Sequence, residues 1–127
     1  MSTQERNQMG LAIYPRSESE LLAPFSRDGH YHGLTVEDCA TFPVPDRVWE
    51  EYVRDKDPET LAKKRAGFFR AVFAPSLAQA LSPDRHPEER LAFLAAVEDG
   101  LSARMVNYPV PADNLVRIIV LAKRRSE

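Results

Sequence analysis

The feature that most constrains the fold is a nearly all-apolar segment near the C-terminus, residues 114–122, with the sequence Asn-Leu-Val-Arg-Ile-Ile-Val-Leu-Ala. It is rich in β-branched residues, and Arg117 alone interrupts its apolar run. A strand with one solvated face would alternate apolar and polar residues, which this segment does not do. It therefore predicts a strand that is buried on both faces and that needs neighbouring strands and cover.

The size and charge of the chain set the class of protein. With 127 residues, 43% of them hydrophobic, and a formal charge of -2, the chain suits one domain over residues 11–127 after a flexible lead-in at 1–10. The balanced charge argues against a nucleic-acid partner. A single cysteine, Cys39, no apolar leader and no run long enough to span a bilayer predict a cytoplasmic protein with no membrane partner.

The remaining elements follow from capping and turn signals. Residues 34–42 predict a second strand with a bulge near Asp38, and Ser17 with Glu20 forms a capping box for a helix over 18–25. Further helix starts and breaks are marked by proline: Pro45-Asp46, Asp57-Pro58, Ala74-Pro75 and Pro87. The predicted class is α+β, with two antiparallel strands (about 34–42 and 114–122) covered by four or five helices.

Motifs for cofactor or metal chemistry are weak. The five glycines are scattered, so neither a dinucleotide fingerprint nor a phosphate loop can be built. His30 and His32 lack an evident third ligand and are interpreted as an exposed loop pair, and Cys39 as a small core residue. The aromatic stripe of Phe68, Phe69 and Phe73 is interpreted as core packing.

Four segments taken together carry a family resemblance. The run Gly-Phe-Phe-Arg-Ala-Val-Phe-Ala-Pro-Ser-Leu at 67–77 resembles the Arg-Ala-Val-x-x-Pro-Leu-like run in a late helix of the SAM-dependent carboxyl methyltransferases, the salicylate, jasmonate and theobromine type (SABATH) and its bacterial relatives. Residues 14–21 resemble that family's Tyr-x-x-Ser-x-x-Glu-Val helix entry. Residues 34–42 and 108–123 are similar to its last two strands. The four lie in family order over residues 11–123.

The resemblance implies the C-terminal part of a Rossmann-like methyltransferase fold, in which the closing strand lies inside the sheet. The half that carries the glycine-rich SAM loop has no counterpart in this sequence, so the chain alone is expected to bind no cofactor, and SAM only with a complementary half. By position in the family, the resemblance implies substrate-binding roles for Tyr14, Phe68, Phe69 and Tyr108, toward a small carboxylate-bearing ligand.

The functional expectation is a truncated methyltransferase-like domain that is not catalytic alone. It would act through self-association, with a homodimer completing the sheet, or by completing the acyl-substrate pocket of a partner that carries the SAM-binding half. Two alternatives remain. One is an enzyme with a pocket between helices, lined by Phe68, Phe69, Trp49 and Tyr108. The other is an unrelated small-molecule-binding α+β module.

Overall fold

The computed structural model describes residues 1–11 and 13–123 and divides the chain into two compact units. The helical unit comprises Met1–Ala12 and Asp46–Ala112, and the ribbon unit comprises Ile13–Pro45 and Asp113–Glu127. The sequence-based prediction of one domain over residues 11–127 stays a prediction. The α+β class predicted from the sequence is confirmed.

The helical unit is built from α-helices that begin where the sequence supplies a cap. At α4 the carboxylate of Asp57 accepts the backbone N–H groups of Glu59 and Thr60, both at 3.1 Å, and Pro58 occupies the first helical position, where no donor is needed. The helices are α1 (Thr3–Gln8), α3 (Arg47–Asp55), α4 (Pro58–Val72), α5 (Ala74–Ala78) and α6 (Pro87–Met105).

The core of the helical unit lies along α4 and α5. The predicted break at Ala74 is confirmed, because α4 ends at Val72 and Pro75 lies in the first turn of α5. Small residues let the helices approach closely, and Arg70 of α4 forms an ion pair with Glu98 of α6 at 2.6 Å. The buried apolar residues are Leu61, Ala62, Ala66, Ala74 and Leu81.

The N-terminus differs from the flexible lead-in expected over residues 1–10. Residues Thr3–Gln8 form α1, with a capping box between Ser2 and Glu5. Glu5 is only 5% exposed, and its carboxylate accepts from the Ser82 backbone N–H at 2.8 Å and from Arg85 at 2.6 and 2.8 Å. A contact nearly eighty positions away in sequence therefore orders a helix that its own residues would leave marginal.

The ribbon unit contains α2 (Glu18–Leu22), a 3₁₀ turn (Ala23–Phe25), β1 (His30–Tyr31), β2 (Leu34–Val44) and β3 (Asn114–Lys123). The capping box predicted from Ser17 and Glu20 is confirmed, although the helix is α only to Leu22. The strand β1 was not predicted. It enters β2 through a tight turn at His32 and Gly33, whose φ values of 49° and 75° are both positive, as in a type I′ turn.

The three strands form an antiparallel sheet in the order β1-β2-β3. The two predicted strands are confirmed and pair over nearly their whole length, from Leu34 with Lys123 to Val44 with Asn114. The predicted bulge near Asp38 is also confirmed, since the register shifts between Val36 and Asp38. β1 pairs only with the start of β2, so the sheet is mainly a long two-stranded ribbon.

Candidate functional site

The strand β3 is exposed where the sequence predicted burial. Leu115 is 71% exposed, and Ile118 is 46% exposed on the other face. The expectation of burial on both faces is thus not met within the described chain, and β3 is also the last strand of the sheet, paired only with β2. The apolar side chains of β3 are therefore left largely exposed.

One face of the ribbon is mainly apolar, with the polar residues Asn114 and Asp38 toward its ends. Residues paired across an antiparallel ladder share a face, so Phe42 lies with Val116 and Ala40 with Ile118. We call this the apolar face; its large side chains are exposed by 37–46%, far more than core residues, and are Phe42, Val44, Val116, Ile118 and Val120. Contiguous exposed apolar surface of this kind marks an interaction site more often than scattered exposed residues do.

The opposite face holds the charge that interrupts β3, together with the exposed Leu115 and Leu121. Arg117 donates from Nε to the hydroxyl of Thr41 at 2.8 Å, and its guanidinium also bonds the backbone carbonyl of Arg16. Cys39 and Ile119 pair across the same face and are half-buried. Cys39, expected in the core, therefore packs within the sheet but is not fully buried.

The outer edge of β3 is open. Among the described strands the backbone of β3 pairs only with β2, so about every second N–H and C=O group along it points away from any strand. Long, apolar edges invite pairing with another chain, and proteins that avoid this place charges or prolines on them. β3 carries charge only at Arg117 and at its final residue, Lys123.

A clamp centred on Asp46 holds the two chain segments that lead to the ribbon. Its carboxylate accepts the Trp49 N–H at 3.1 Å, which caps α3, and also the Ala112 N–H and the Arg65 guanidinium, both at 2.9 Å. Arg65 further donates to the carbonyl of Val110. The segment leaving β2 and the segment approaching β3 are thus tied to one carboxylate.

Burial raises the pKa of Asp46, but hydrogen bonds from the Ala112 and Trp49 N–H groups and the charge of Arg65 outweigh it and hold the pKa below its ordinary value. The sequence indicated only the cap, from Pro45-Asp46. No local signal pointed to Ala112, which lies 66 positions away.

The four residues expected to bind substrate fall in two groups. Phe68 and Phe69 are neighbours on α4 and both contact the ring of Phe73, with centroids 6.2 and 5.4 Å apart. Phe68 is 63% exposed, and Tyr108, just after α6, is 76% exposed. Tyr14 belongs to the ribbon unit. Substrate binding by these residues stays a prediction.

Tyr14 has a specific partner. Its hydroxyl donates to the Glu20 carboxylate at 2.6 Å. This hydrogen bond raises the pKa of Tyr14 and lowers the pKa of Glu20. The same carboxylate also closes the capping box at Ser17, so the segment before α2 is fixed to the helix start.

Two cavities lie in the helical unit. The larger, of about 680 Å³, is an open hollow beside Glu5 and Arg85 whose surface is polar and apolar in similar parts. The smaller, of about 80 Å³, lies between α3 and α4 at Tyr52 and Leu61. The residues that line them do not include Phe68, Phe69, Trp49 or Tyr108. The aromatic pocket of the alternative interpretation does not correspond to either cavity.

The described residues hold neither a metal-binding cluster nor a membrane-spanning helix. Within 1–11 and 13–123, no cluster of three or more His, Cys, Asp or Glu side chains could hold a metal ion. Over these residues no helix combines the length and the apolar character needed to cross a membrane. Comparison of the chain with protein-family models gives no match, and neither does comparison with the curated proteins.

Proposed function

We propose that this chain works by association, and that a second copy of the chain completes its sheet at β3. The observation that carries the proposal is the open edge of β3 beside the exposed apolar face. The chain as described has a well-capped helical unit and a ribbon that leaves its most apolar strand uncovered.

The energetics favour a partner at this strand. Pairing at the edge sets each side chain of β3 beside a side chain of the partner strand on the same face, and such cross-strand contacts contribute roughly 0.2 to 1 kcal/mol each. Pairing the edge also satisfies backbone groups that otherwise rely on water. These gains oppose an association cost of about 4 to 15 kcal/mol, so several side chains must be buried together, which a continuous strand allows.

The proposed setting is a methyltransferase-like C-terminal piece that transfers no methyl group alone. The family resemblance implies that β2 and β3 correspond to the last strands of a SAM-binding sheet, with β3 inside it. A polypeptide carrying the SAM-binding half is then the other candidate occupant of the same edge. With such a half present, Tyr14, Phe68, Phe69 and Tyr108 would contribute to the pocket for a small carboxylate-bearing substrate.

Sedimentation equilibrium of the full chain tests the proposal. We expect twice the mass of the chain at micromolar concentration, and a monomer for Val120→Lys, because lysine blocks an edge. The matched control is Val53→Lys on α3, since Val53 is similarly exposed (49% against 40%) but lies in the helical unit; it should stay dimeric. If the wild-type chain sediments as a folded monomer, self-association is overturned. If calorimetry shows that the chain alone binds SAM, the claim that the chain lacks the cofactor site is overturned.

A further inference from the structure

The sequence of β3 also restricts how two copies can pair, an inference that rests on the proposed function. We propose that two copies join antiparallel along β3 about a two-fold axis at Ile118, which places Lys123 opposite the partner's Asp113. The result is a six-stranded sheet in the order β1-β2-β3-β3-β2-β1.

Symmetry limits the possible registers to a few. Directly opposite residues in an antiparallel pair lie on the same face, and a two-fold axis perpendicular to the sheet keeps each residue on its own face. The axis must then pass through a pair formed by one residue and its own copy, and not between residues. Registers that keep most of the ten-residue strand paired centre on residues 117 to 120. The register centred on Val120 is opposed by charge, because it sets Lys123 opposite the partner's Arg117.

The register centred on Arg117 is opposed by charge. It sets two guanidinium groups directly against each other across the seam, and like charges at such positions are destabilising. It also places Leu121 opposite the partner's Asp113. The register centred on Ile119 avoids the first conflict but sets Lys123 opposite the partner's Leu115, so the lysine gains no charged partner.

The register centred on Ile118 sets apolar residues opposite apolar residues except at two positions, where Arg117 faces the partner's Ile119 and Ala122 faces the partner's Asn114. On the apolar face Ile118 meets its own copy and Val120 meets the partner's Val116. On the other face Leu121 meets the partner's Leu115. Asp113 and Lys123 are both exposed at opposite ends of the strand, and this register joins them into two symmetric ion pairs.

Cysteine scanning across the axis tests the register directly. A residue on the axis lies beside its own copy, within the Cα distance that a disulfide needs, whereas residues one position away lie diagonal to their own copies and near or beyond its limit. In a Cys39→Ala background, we expect Ile118→Cys to form a cross-linked dimer rapidly with oxidised glutathione. Arg117→Cys and Ile119→Cys are the matched controls and should cross-link far more slowly.

Charge reversal gives a second, independent readout. Lys123→Asp and Asp113→Lys should each weaken the dimer, because each sets like charges opposite, and the double variant should recover it. Preferred cross-linking through position 117 or 119, or no recovery in the double variant, overturns this register while leaving self-association intact. A wild-type chain that sediments as a monomer overturns the proposed function and the register together.

Discussion

The two units of the chain differ in how far they bury their apolar side chains. All residues that are fully buried among those described belong to the helical unit: Glu5, Leu61, Ala62, Ala66, Ala74 and Leu81. In the ribbon unit, over residues 13–45 and 113–123, no residue reaches that level. The helical unit makes its own interior, whereas the large apolar side chains of the ribbon unit stay partly exposed.

The difference follows from the partners of the backbone hydrogen bonds, which lie within the same helix but on a neighbouring strand in a sheet. A helix closes its own, so α4 and α6 need only side-chain contacts such as Arg70 to Glu98. A two-stranded ribbon leaves one edge of each strand unpaired and has little independent stability. The apolar character of β3 is therefore the basis on which we propose a further neighbour for this strand, whereas the apolar character of α4 calls for none.

The largest predicted difference between the units is the loss of stability caused by the same Leu-to-Ala substitution made in each of them. Leu61→Ala removes a side chain that is 3% exposed and should lower the free energy of unfolding by about 2 to 5 kcal/mol. Leu115→Ala removes one that is 71% exposed and should cost under about 1 kcal/mol in dilute solution. Urea unfolding checks both. Equal losses at dilution would mean that the ribbon already has an interior.

The clamp at Asp46 should matter more than an ordinary helix cap. Asp46→Ala removes the cap of α3 and the bond to Ala112, and should cost about 1 to 2 kcal/mol in thermal unfolding. Asp57→Ala is the control, because Asp57 caps α4 without tying distant segments, and its loss should be smaller. The reverse order would show that the tie to Ala112 contributes nothing.

The pH dependence of stability should report the anchoring of α1. Hydrogen bonds from Arg85, Ser82 and Ser2 hold the pKa of Glu5 well below its ordinary range. The unfolded chain, with a pKa of about 4.3 for this carboxyl, then binds the proton first, so the contribution is present above that pH and is lost as pH falls below it.

Glu5→Gln should flatten the fall in melting temperature on acidification below about pH 5. Glu50→Gln, at an exposed position on α3, is the matched control and should leave the fall unchanged. An identical acid slope in the wild type and Glu5→Gln would contradict the anchoring role of this carboxylate.

The smallest effect is expected at a surface ion pair. Arg54 and Asp55 approach to 3.2 Å, but their side chains are 71% and 58% exposed. Solvent screening leaves such a pair with a contribution of about 0 to 0.5 kcal/mol, so Arg54→Ala should barely move the urea midpoint. A loss as large as that of Asp46→Ala would mean that simple ion pairs govern the helical unit.

The sequence predicted the elements whose signals are local. Asp57-Pro58 begins α4, Pro75 ends it, and Ser17 with Glu20 caps α2, because each depends on residues within a turn of one another. The two long strands followed from their β-branched composition and were found with a bulge at the expected place.

What the sequence did not predict depends on distant contacts or on very short elements. α1 is short and polar, and its anchor is Arg85, although the Ser2-x-x-Glu5 capping box was a local signal for it. β1 has only two residues, too few for a period. Composition cannot predict the exposure of β3, because an apolar strand has the same sequence whether or not a neighbouring strand is present.

Amide hydrogen exchange along β3, measured by NMR at rising protein concentration, tests the central claim most directly. Alternate amides of β3 point away from β2 and have no partner in a single copy. We predict that these outward amides gain protection as the chain dimerises, until they match the inward amides. Outward amides that exchange at the rate of a free peptide while the chain sediments as a dimer would contradict pairing at this edge.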